Sequence, residues 1–383
     1  MGGPGVVEKD VAVVLSGGAV NGVLMELGFL QRLRESSLWP RVGWIYGTSA
    51  GALSGTMAAL DRLDQLEEFM LLLQPDETFR PHSLWRLPLL GSHDYRLPET
   101  VAARIGDVEA LARELAASPV EMTVIATDVS DDEHGVGQHA YELTYSSRTT
   151  RPEIMAQAIL ASAAISALVL PRRVGDRIAT DGAWVRNFPL GHAYAQPGVE
   201  LIVSFRYLPQ YPRLGVAALR PLRRRLQRFS RIPPVRAFLE ELDEAEARAD
   251  RGEPAHLADT IMRLARVAIL RNTRLEERVA EATDRSLAEL RSLRHDVLAL
   301  VDDPGLADRV GARFDAARFP FRHDRLVPRV TVVGHTGGVS LEPGLRTQPE
   351  WTVEEKRLLI RRGWELADER LREIGDVHSQ DGT

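Results

Sequence analysis

The chain has 383 residues, of which 44% are hydrophobic and 27% charged, and its formal net charge is −6. This is enough apolar sequence for a large core, and the negative charge argues against a dedicated nucleic-acid-binding protein. The absence of cysteine excludes disulfides, thiolate catalysis and thiolate metal sites.

Strand-like and helix-like segments alternate over the first half of the chain. Apolar runs predict strands at 11–15, 42–46, 122–126, 141–145, 177–179 and 201–205, and a late one at 329–333. Helical patterns lie between the early runs, at 23–34, 50–60, 64–73, 108–117 and 152–165. This alternation predicts an α/β fold with a mainly parallel central sheet covered by helices.

After residue 208 the pattern becomes charged and almost wholly helical. Amphipathic periodicity at 255–285 and 284–299 predicts two helices, and Pro233-Pro234 predicts a break before them. We therefore expect a core over 8–205, a helical extension packed on it over 206–325, a final strand and helix of the core over 326–374, and a disordered tail over 375–383.

The motif Gly47-Thr48-Ser49-Ala50-Gly51 lies between an apolar strand and a small-residue helix. A serine in such a G-x-S-x-G sequence sits on a sharp strand-to-helix turn, with its hydroxyl exposed and the positive end of the helix beside it. Ser49 is therefore a candidate nucleophile, and an ordinary glycine-bounded turn is the alternative.

A glycine-rich loop, Ser16 to Gly22, follows the first strand and leads into a helix. Backbone N–H groups at such a place can bind an anion. The loop lacks the Lys-Ser/Thr ending of a P-loop and the spacing of G-x-G-x-x-G, which argues against a nucleotide. An oxyanion hole for acyl transfer and a simple tight turn remain open.

Asp181 ends a predicted strand and is followed by Gly182-Ala183. A carboxylate at a strand end can project into a cleft, although an Asx turn is the plainer interpretation. Asp128, which also follows an apolar strand, is a second candidate acid.

In this order the three motifs resemble those of the patatin-like phospholipases, over roughly residues 10–205. Val14 to Gly18, Ala126 to Val129, Ala161 to Ile165 and the Asn187-x-Pro189 that follows Asp181 also look like that family. The resemblance implies a Ser49–Asp181 dyad without metal or organic cofactor. It implies an oxyanion hole from Gly17, Gly18, Ala19 and Ala50, supported by the motif glycines Gly22, Gly47, Gly51 and Gly182.

Two residues depart from the family pattern in the oxyanion loop. Ala19 stands where the family usually has a third glycine, so that position loses easy access to positive φ. Asn21 stands where the family usually has a basic residue. The implied activity is hydrolysis of carboxylic esters of phospholipids or neutral acylglycerols through an acyl-enzyme, with neutral esters favoured more than in a typical member.

Two other classes of protein are alternatives to a patatin-like hydrolase. An α/β-hydrolase with a Ser-Asp-His triad would recruit a late histidine such as His335, but only 48 residues precede Ser49, fewer than that fold places before its nucleophile. A non-catalytic module of the same fold, which binds lipid or regulates a partner, is the second alternative.

No apolar stretch is long enough for a membrane span, and the N-terminus lacks a secretion signal, so we expect a cytoplasmic protein. The preference for arginine over lysine is typical of bacterial chains with high GC content.

Residues 220–236 form a basic amphipathic segment that could contact an anionic membrane, or else pack its apolar side on the core. Residues 79–90 could form an apolar lid or acyl channel, or a plain packing loop. The segment 220–236 contains Arg220, Arg223, Arg224, Arg225, Arg228, Arg231 and Arg236.

Overall fold

A computed structural model describes most of the chain. The described residues are 8–82, 93–130, 141–165, 168–208, 220–254, 257–319, 321–339, 341 and 350–380. Most of the proposed 79–90 lid lies outside these ranges.

The described strands form one large sheet and one small hairpin. They are β1 (Val11–Leu15), β2 (Val42–Thr48), β3 (Phe79–Pro81), β4 (His93–Tyr95), β5 (Glu121–Asp128), β6 (Glu142–Ser146), β7 (Arg172–Val174), β8 (Arg177–Asp181), β9 (Leu201–Tyr207) and β10 (Arg329–Gly334). The large sheet has the order β10-β9-β1-β2-β5-β8-β7, with β6 also paired to β5, while β3 and β4 pair with each other.

The central part of the large sheet is parallel. Strands β10, β9, β1, β2 and β5 all run in the same direction, whereas β6, β7 and β8 are antiparallel to their neighbours. All five residues of β1 are buried, as expected for a strand covered on both faces. The predicted mainly parallel sheet is confirmed.

The helices alternate with the early strands and then dominate the later chain. They are α1 (Ala19–Arg34), α2 (Ala50–Ala59), α3 (Leu63–Leu72), α4 (Pro75–Thr78), α5 (Leu97–Arg104), α6 (Val108–Ala117), α7 (Pro152–Ser162), α8 (Ala183–Arg186), α9 (Leu190–Ala195), α10 (Arg220–Gln227), α11 (Pro233–Asp250), α12 (Leu257–Ala299), α13 (Pro304–Ala316) and α14 (Val353–Gln380), with a 3₁₀ turn at Trp39–Arg41.

Alternate residues of β1 divide the interior into two apolar clusters. Val11, Val13 and Leu15 belong to the larger cluster, which contains side chains of α1, α2, α3, α7 and α14. Ala12 and Val14 belong to the smaller one, which α9 and α12 cover. Since successive side chains of a strand point to opposite faces, the sheet is the middle layer between two layers of helices.

The helical extension is present, but its pattern differs from the predicted one. The two helices expected at 255–285 and 284–299 are one 43-residue helix, α12, because no proline or glycine interrupts this stretch. Pro233 and Pro234 are instead the first two residues of α11. Backbone N–H groups in the first turn of a helix have no acceptor within it, so proline, which has no N–H, is tolerated there.

The C-terminal end also differs from expectation. The tail predicted to be disordered from 375 contributes to α14, which continues to Gln380. Residues 375–380 contain no proline, and adding turns to an existing helix requires no new nucleus. The sequence analysis did not predict several elements, most of which are short and lack a clear period. They are the hairpin of β3 and β4, strand β7 and helices α4, α5, α8, α9 and α13.

Candidate active site

Ser49 lies at the sharp turn between β2 and α2. Its φ of 55° and ψ of −113° are unfavourable for a residue with a side chain. The flanking glycines let the turn close: a Cβ at Gly47 would lie 2.1 Å from Gly51 O, and one at Gly51 would lie 2.6 Å from Leu15 Cβ. The local geometry is that of a nucleophile elbow.

The structure brings Ser49 and Asp181 together. The Ser49 hydroxyl donates a 2.7 Å hydrogen bond to Asp181 Oδ2, although the two residues are 132 positions apart. The sheet explains this contact, because Ile125 of β5 pairs with Thr48 and the next residue, Ala126, pairs with Asp181. One end of β5 therefore aligns the elbow with the acid.

Burial changes the acidity of Asp181. Its side chain is almost enclosed, with the residue 5% exposed, and desolvation raises its pKa to about 6. The Ala183 N–H, which donates to Asp181 Oδ1 at 2.8 Å, and the Ser49 hydroxyl oppose part of this shift. Asp181 is thus largely ionised at neutral pH and a much better base than an exposed aspartate.

Two side chains hold the dyad in place. Ser162 Oγ accepts the Ser49 N–H at 2.9 Å and donates to Ile125 O at 2.6 Å. Thr127 Oγ1 donates to the carbonyl of Asp181 at 2.7 Å. Both residues lie in stretches that resemble the family, yet the sequence alone assigned them no role.

The glycine-rich loop approaches the nucleophile closely. A Cβ at Gly17 would lie 3.1 Å from Ser49 Cβ, and Gly18 precedes the first turn of α1. The Gly17 N–H, expected to be an oxyanion donor, donates instead to Asn187 O at 3.1 Å. Among the described residues, the N–H groups of Gly18 and Ala19 have no acceptor, so they are available to an oxyanion.

The remaining motif residues have identifiable places. Ala19 adopts a φ of 49° despite its side chain, a conformation that costs about 1 kcal/mol. Ala50 begins α2, so its N–H has no partner within the helix. The Gly22 N–H donates to Gly18 O at 2.7 Å, and Gly182 leaves no room for a side chain beside Ile125 O.

Asn21, which stands where the family usually has a basic residue, lies in the first turn of α1. Its side chain is buried, and Asn21 Oδ1 accepts the N–H of Leu341 at 3.0 Å. This residue therefore connects the first turn of α1 to a distant segment of the chain.

Ser49 is one of the residues that line an apolar pocket. Ala19 and Ala50, which flank the proposed oxyanion site, also line it, and side chains of α3, α5 and α7 form much of the wall. Phe79, from the predicted lid segment, also lines it. The other apolar lining residues are Val20, Val23, Leu53, Met57, Leu66, Phe69, Met70, Leu73, Leu97, Val101, Ile105, Val108, Leu111, Ile159, Leu160, Ala163 and Ile165.

The alternative catalytic residues have other partners. His335 Nε2 contacts the guanidinium of Arg362 at 3.3 Å. Asp128 forms an ion pair with Arg177 at 3.4 Å and accepts the N–H of Ser130. Within the described ranges, no three His, Asp or Glu side chains converge as metal ligands.

The first half of the chain matches a known protein family. Residues 13–194 match the model of the family described as patatin-like phospholipase. A structural match is the crystal structure of VipD from Legionella pneumophila, with 14% sequence identity and a TM-score of 0.40, covering 96% of this chain and 67% of that one. No curated protein sequence matches the chain significantly.

Proposed function

The chain carries a patatin-like phospholipase domain, whose family hydrolyses lipid acyl esters, and we propose that Ser49 and Asp181 cleave a lipid carboxylic ester. The observation that carries this proposal is the 2.7 Å hydrogen bond from the elbow serine to a buried carboxylate with a raised pKa. These are the features expected of an activated nucleophile and its base.

Acylation of Ser49 begins the proposed reaction. Asp181 takes the hydroxyl proton as Ser49 Oγ bonds to the ester carbonyl carbon, and the negative charge moves to the carbonyl oxygen. The N–H groups of Gly18 and Ala19, at the positive end of α1, stabilise this charge. When the intermediate collapses, the carbon–oxygen bond to the alcohol breaks and Asp181 returns the proton to the departing oxygen.

Deacylation uses the same groups. Asp181 takes a proton from water, the resulting hydroxide attacks the acyl-enzyme, and the second intermediate again places its charge toward Gly18 and Ala19. Release of the fatty acid returns the proton to Ser49. Each group thus returns to its starting state.

The function can be tested with a fluorophosphonate, which labels an activated serine. We expect one covalent adduct per chain by intact mass, together with hydrolysis of p-nitrophenyl esters. Ser49→Ala should lose both, whereas Ser36→Ala, which removes a hydroxyl bonded to Leu33 O far along α1, should keep both. A folded Ser49→Ala protein that retains the adduct would refute the assignment.

The apolar pocket supports a long acyl chain as the substrate group. Leu66 and Leu72 are both in α3, but Leu66 lines the pocket and Leu72 is 57% exposed. Leu66→Trp should fill the pocket and lower kcat/KM for a palmitoyl ester at least tenfold relative to an acetyl ester. Leu72→Trp should leave that ratio unchanged, and an equal effect of both substitutions would argue against the pocket as the acyl site.

We further propose that the segment 220–236 contacts an anionic lipid surface. Phe229 and Ile232 are 44% and 48% exposed, so the apolar side of the turn between α10 and α11 does not pack on the core. Exposed Arg228 and Arg231 flank these side chains. None of the described helices has the length and apolar character to cross a membrane.

Vesicle binding tests this contact. Phosphatidylcholine vesicles with 30% phosphatidylglycerol should bind the protein, and Arg228→Glu with Arg231→Glu should weaken binding about 30-fold or more, since each basic residue near such a surface contributes ~1 kcal/mol. The same double charge reversal at the exposed residues Arg309 and Arg313 of α13 is the control. Equal weakening by both pairs would indicate a nonspecific charge effect.

A further inference from the structure

The segment that follows Asp181, residues 182–189, contains the short helix α8 and contacts both the oxyanion loop and helix α12. Asn187 follows α8 in this segment and is only 3% exposed. Gly17 N–H donates to Asn187 O at 3.1 Å, and a Cβ at Gly17 would lie 2.5 Å from Asn187 Oδ1. The position of Asn187 therefore sets the position of Gly17, the residue immediately before the two available donors.

Asn187 is held in turn by two neighbouring side chains of α12. Its N–H donates to Asn272 Oδ1 at 3.1 Å, and its side-chain amide donates to Thr273 Oγ1 at 3.0 Å. The Thr273 hydroxyl proton goes to Ile269 O at 2.9 Å, so its oxygen presents a lone pair to Asn187. These directional bonds fix both the backbone and the side chain of Asn187.

Asn272 also contacts the acid side of the dyad. Its amide nitrogen donates to Ala183 O at 2.7 Å, while the Ala183 N–H donates to Asp181 Oδ1. One α12 side chain thus connects to both parts of the site, and it lies outside the 13–194 segment that carries the family motifs.

We propose that Asn272 and Thr273 are positioning residues, which hold the oxyanion loop against Ser49 through Asn187. This inference rests on the proposed hydrolase function. If it is correct, the helical extension completes the active site, because the oxyanion donors keep their working positions only when α12 is docked. Buried hydrogen bonds of this kind fix a geometry more than they add stability.

Other contacts dock α12, so removing one of these bonds should act locally. The Tyr194 hydroxyl donates to Asp284 Oδ2 at 3.1 Å, and Arg206 pairs with Glu277 at 3.0 Å. The His323 ring also contacts Asp284 at 2.9 Å. Tyr194→Phe therefore removes one bond between α12 and the core without touching Asn187, and it is the matched control.

The experiment compares Thr273→Val, Thr273→Ser, Asn272→Ala and Tyr194→Phe on one short and one long acyl ester. Thr273→Val should lower kcat about tenfold. Asn272→Ala, which removes the bonds to the Asn187 N–H, to Ala183 O and to Trp184 O, should lower it about 100-fold. KM should change less than twofold, and both esters should respond equally because the carbonyl, not the chain, is affected. Thr273→Ser, which keeps the hydroxyl group, should retain the wild-type kcat.

Several outcomes would overturn the proposal. Wild-type kcat in Thr273→Val, a rise in KM alone, or an equal loss in Tyr194→Phe would each show that α12 contributes only general docking. Failure of the wild type to hydrolyse esters or to label with fluorophosphonate would refute the hydrolase function instead. Circular dichroism of each variant establishes whether it is folded. If Thr273→Val does not fold, the kcat values of Thr273→Ser and Asn272→Ala provide the comparison.

Discussion

Asp181→Asn is expected to lower the rate of ester hydrolysis about 1000-fold and, at pH 8, to raise the free energy of unfolding by on the order of 3 kcal/mol. Activity falls because an amide cannot accept the Ser49 proton. Stability rises because the wild type holds a carboxylate that is almost enclosed. The amide can still accept the Ala183 N–H and donate to Ser49 Oγ, the two atoms that now bond the carboxylate.

The stability gain of Asp181→Asn over the wild type is expected to increase with pH. Burial raises the folded-state pKa of Asp181 from 3.8 to about 6, so folding favours the protonated acid. That contribution is fully present below the unfolded pKa and is lost as the pH rises through about 6. The difference between variant and wild type should therefore vanish near pH 4 and reach its maximum above pH 7.

Urea unfolding at pH 4, 6 and 8 measures this difference, and the pH profile of wild-type kcat/KM gives a second reading. The profile should rise with a midpoint near 6, as Asp181 loses its proton. Asp128→Asn is the control: this second strand-end aspartate pairs with Arg177, so its loss should leave hydrolysis intact and not increase stability. A stability difference between Asp181→Asn and the wild type that is no larger at pH 8 than at pH 4 would contradict the burial argument.

Gly28→Ala is expected to lower the free energy of unfolding by about 2–4 kcal/mol, because overpacking outweighs the gain in helix propensity. Helix α1 crosses α14 at this residue, where an added Cβ would lie 1.9 Å from Ile360 O. Gly363 has the reciprocal position, with its Cβ 2.0 Å from Met25 O. The two backbones are in contact, so a methyl group on either side separates the helices.

Gly311→Ala is the matched control, since Gly311 is also a helix glycine. The nearest atom to its added Cβ would be Arg294 Nη2, at 3.5 Å. There the substitution should stabilise the protein by about 0.5–1 kcal/mol through lower unfolded-state entropy. Chemical unfolding of both variants gives the comparison; a neutral Gly28→Ala would mean that α14 is not tightly packed on α1.

The sequence predicted the sheet and the approximate position of most strands, because the parallel strands are short apolar runs between clear helical patterns. An ordered set of motifs also singled out Ser49 and Asp181, whose side chains are hydrogen-bonded in the structure. The sequence could not place Asn272 and Thr273, since polar residues of a charged helix carry no sign of the partner they meet. The hydrogen bond from the Gly17 N–H to Asn187 O could not be predicted either, because it joins residues 170 positions apart in the sequence.

The glycine contact of α1 with α14 also bears on the time at which the site forms. Arg32 of α1 bonds Asp368 of α14 across 336 positions, one of the longest separations in the chain. Such distant contacts form late, because the intervening chain must first be ordered. During synthesis, α1 and the oxyanion loop at its start have no α14 to pack on until residues 353–380 leave the ribosome. A nascent chain that already contains Ser49 and Asp181 is therefore expected to remain inactive toward lipid until α14 docks.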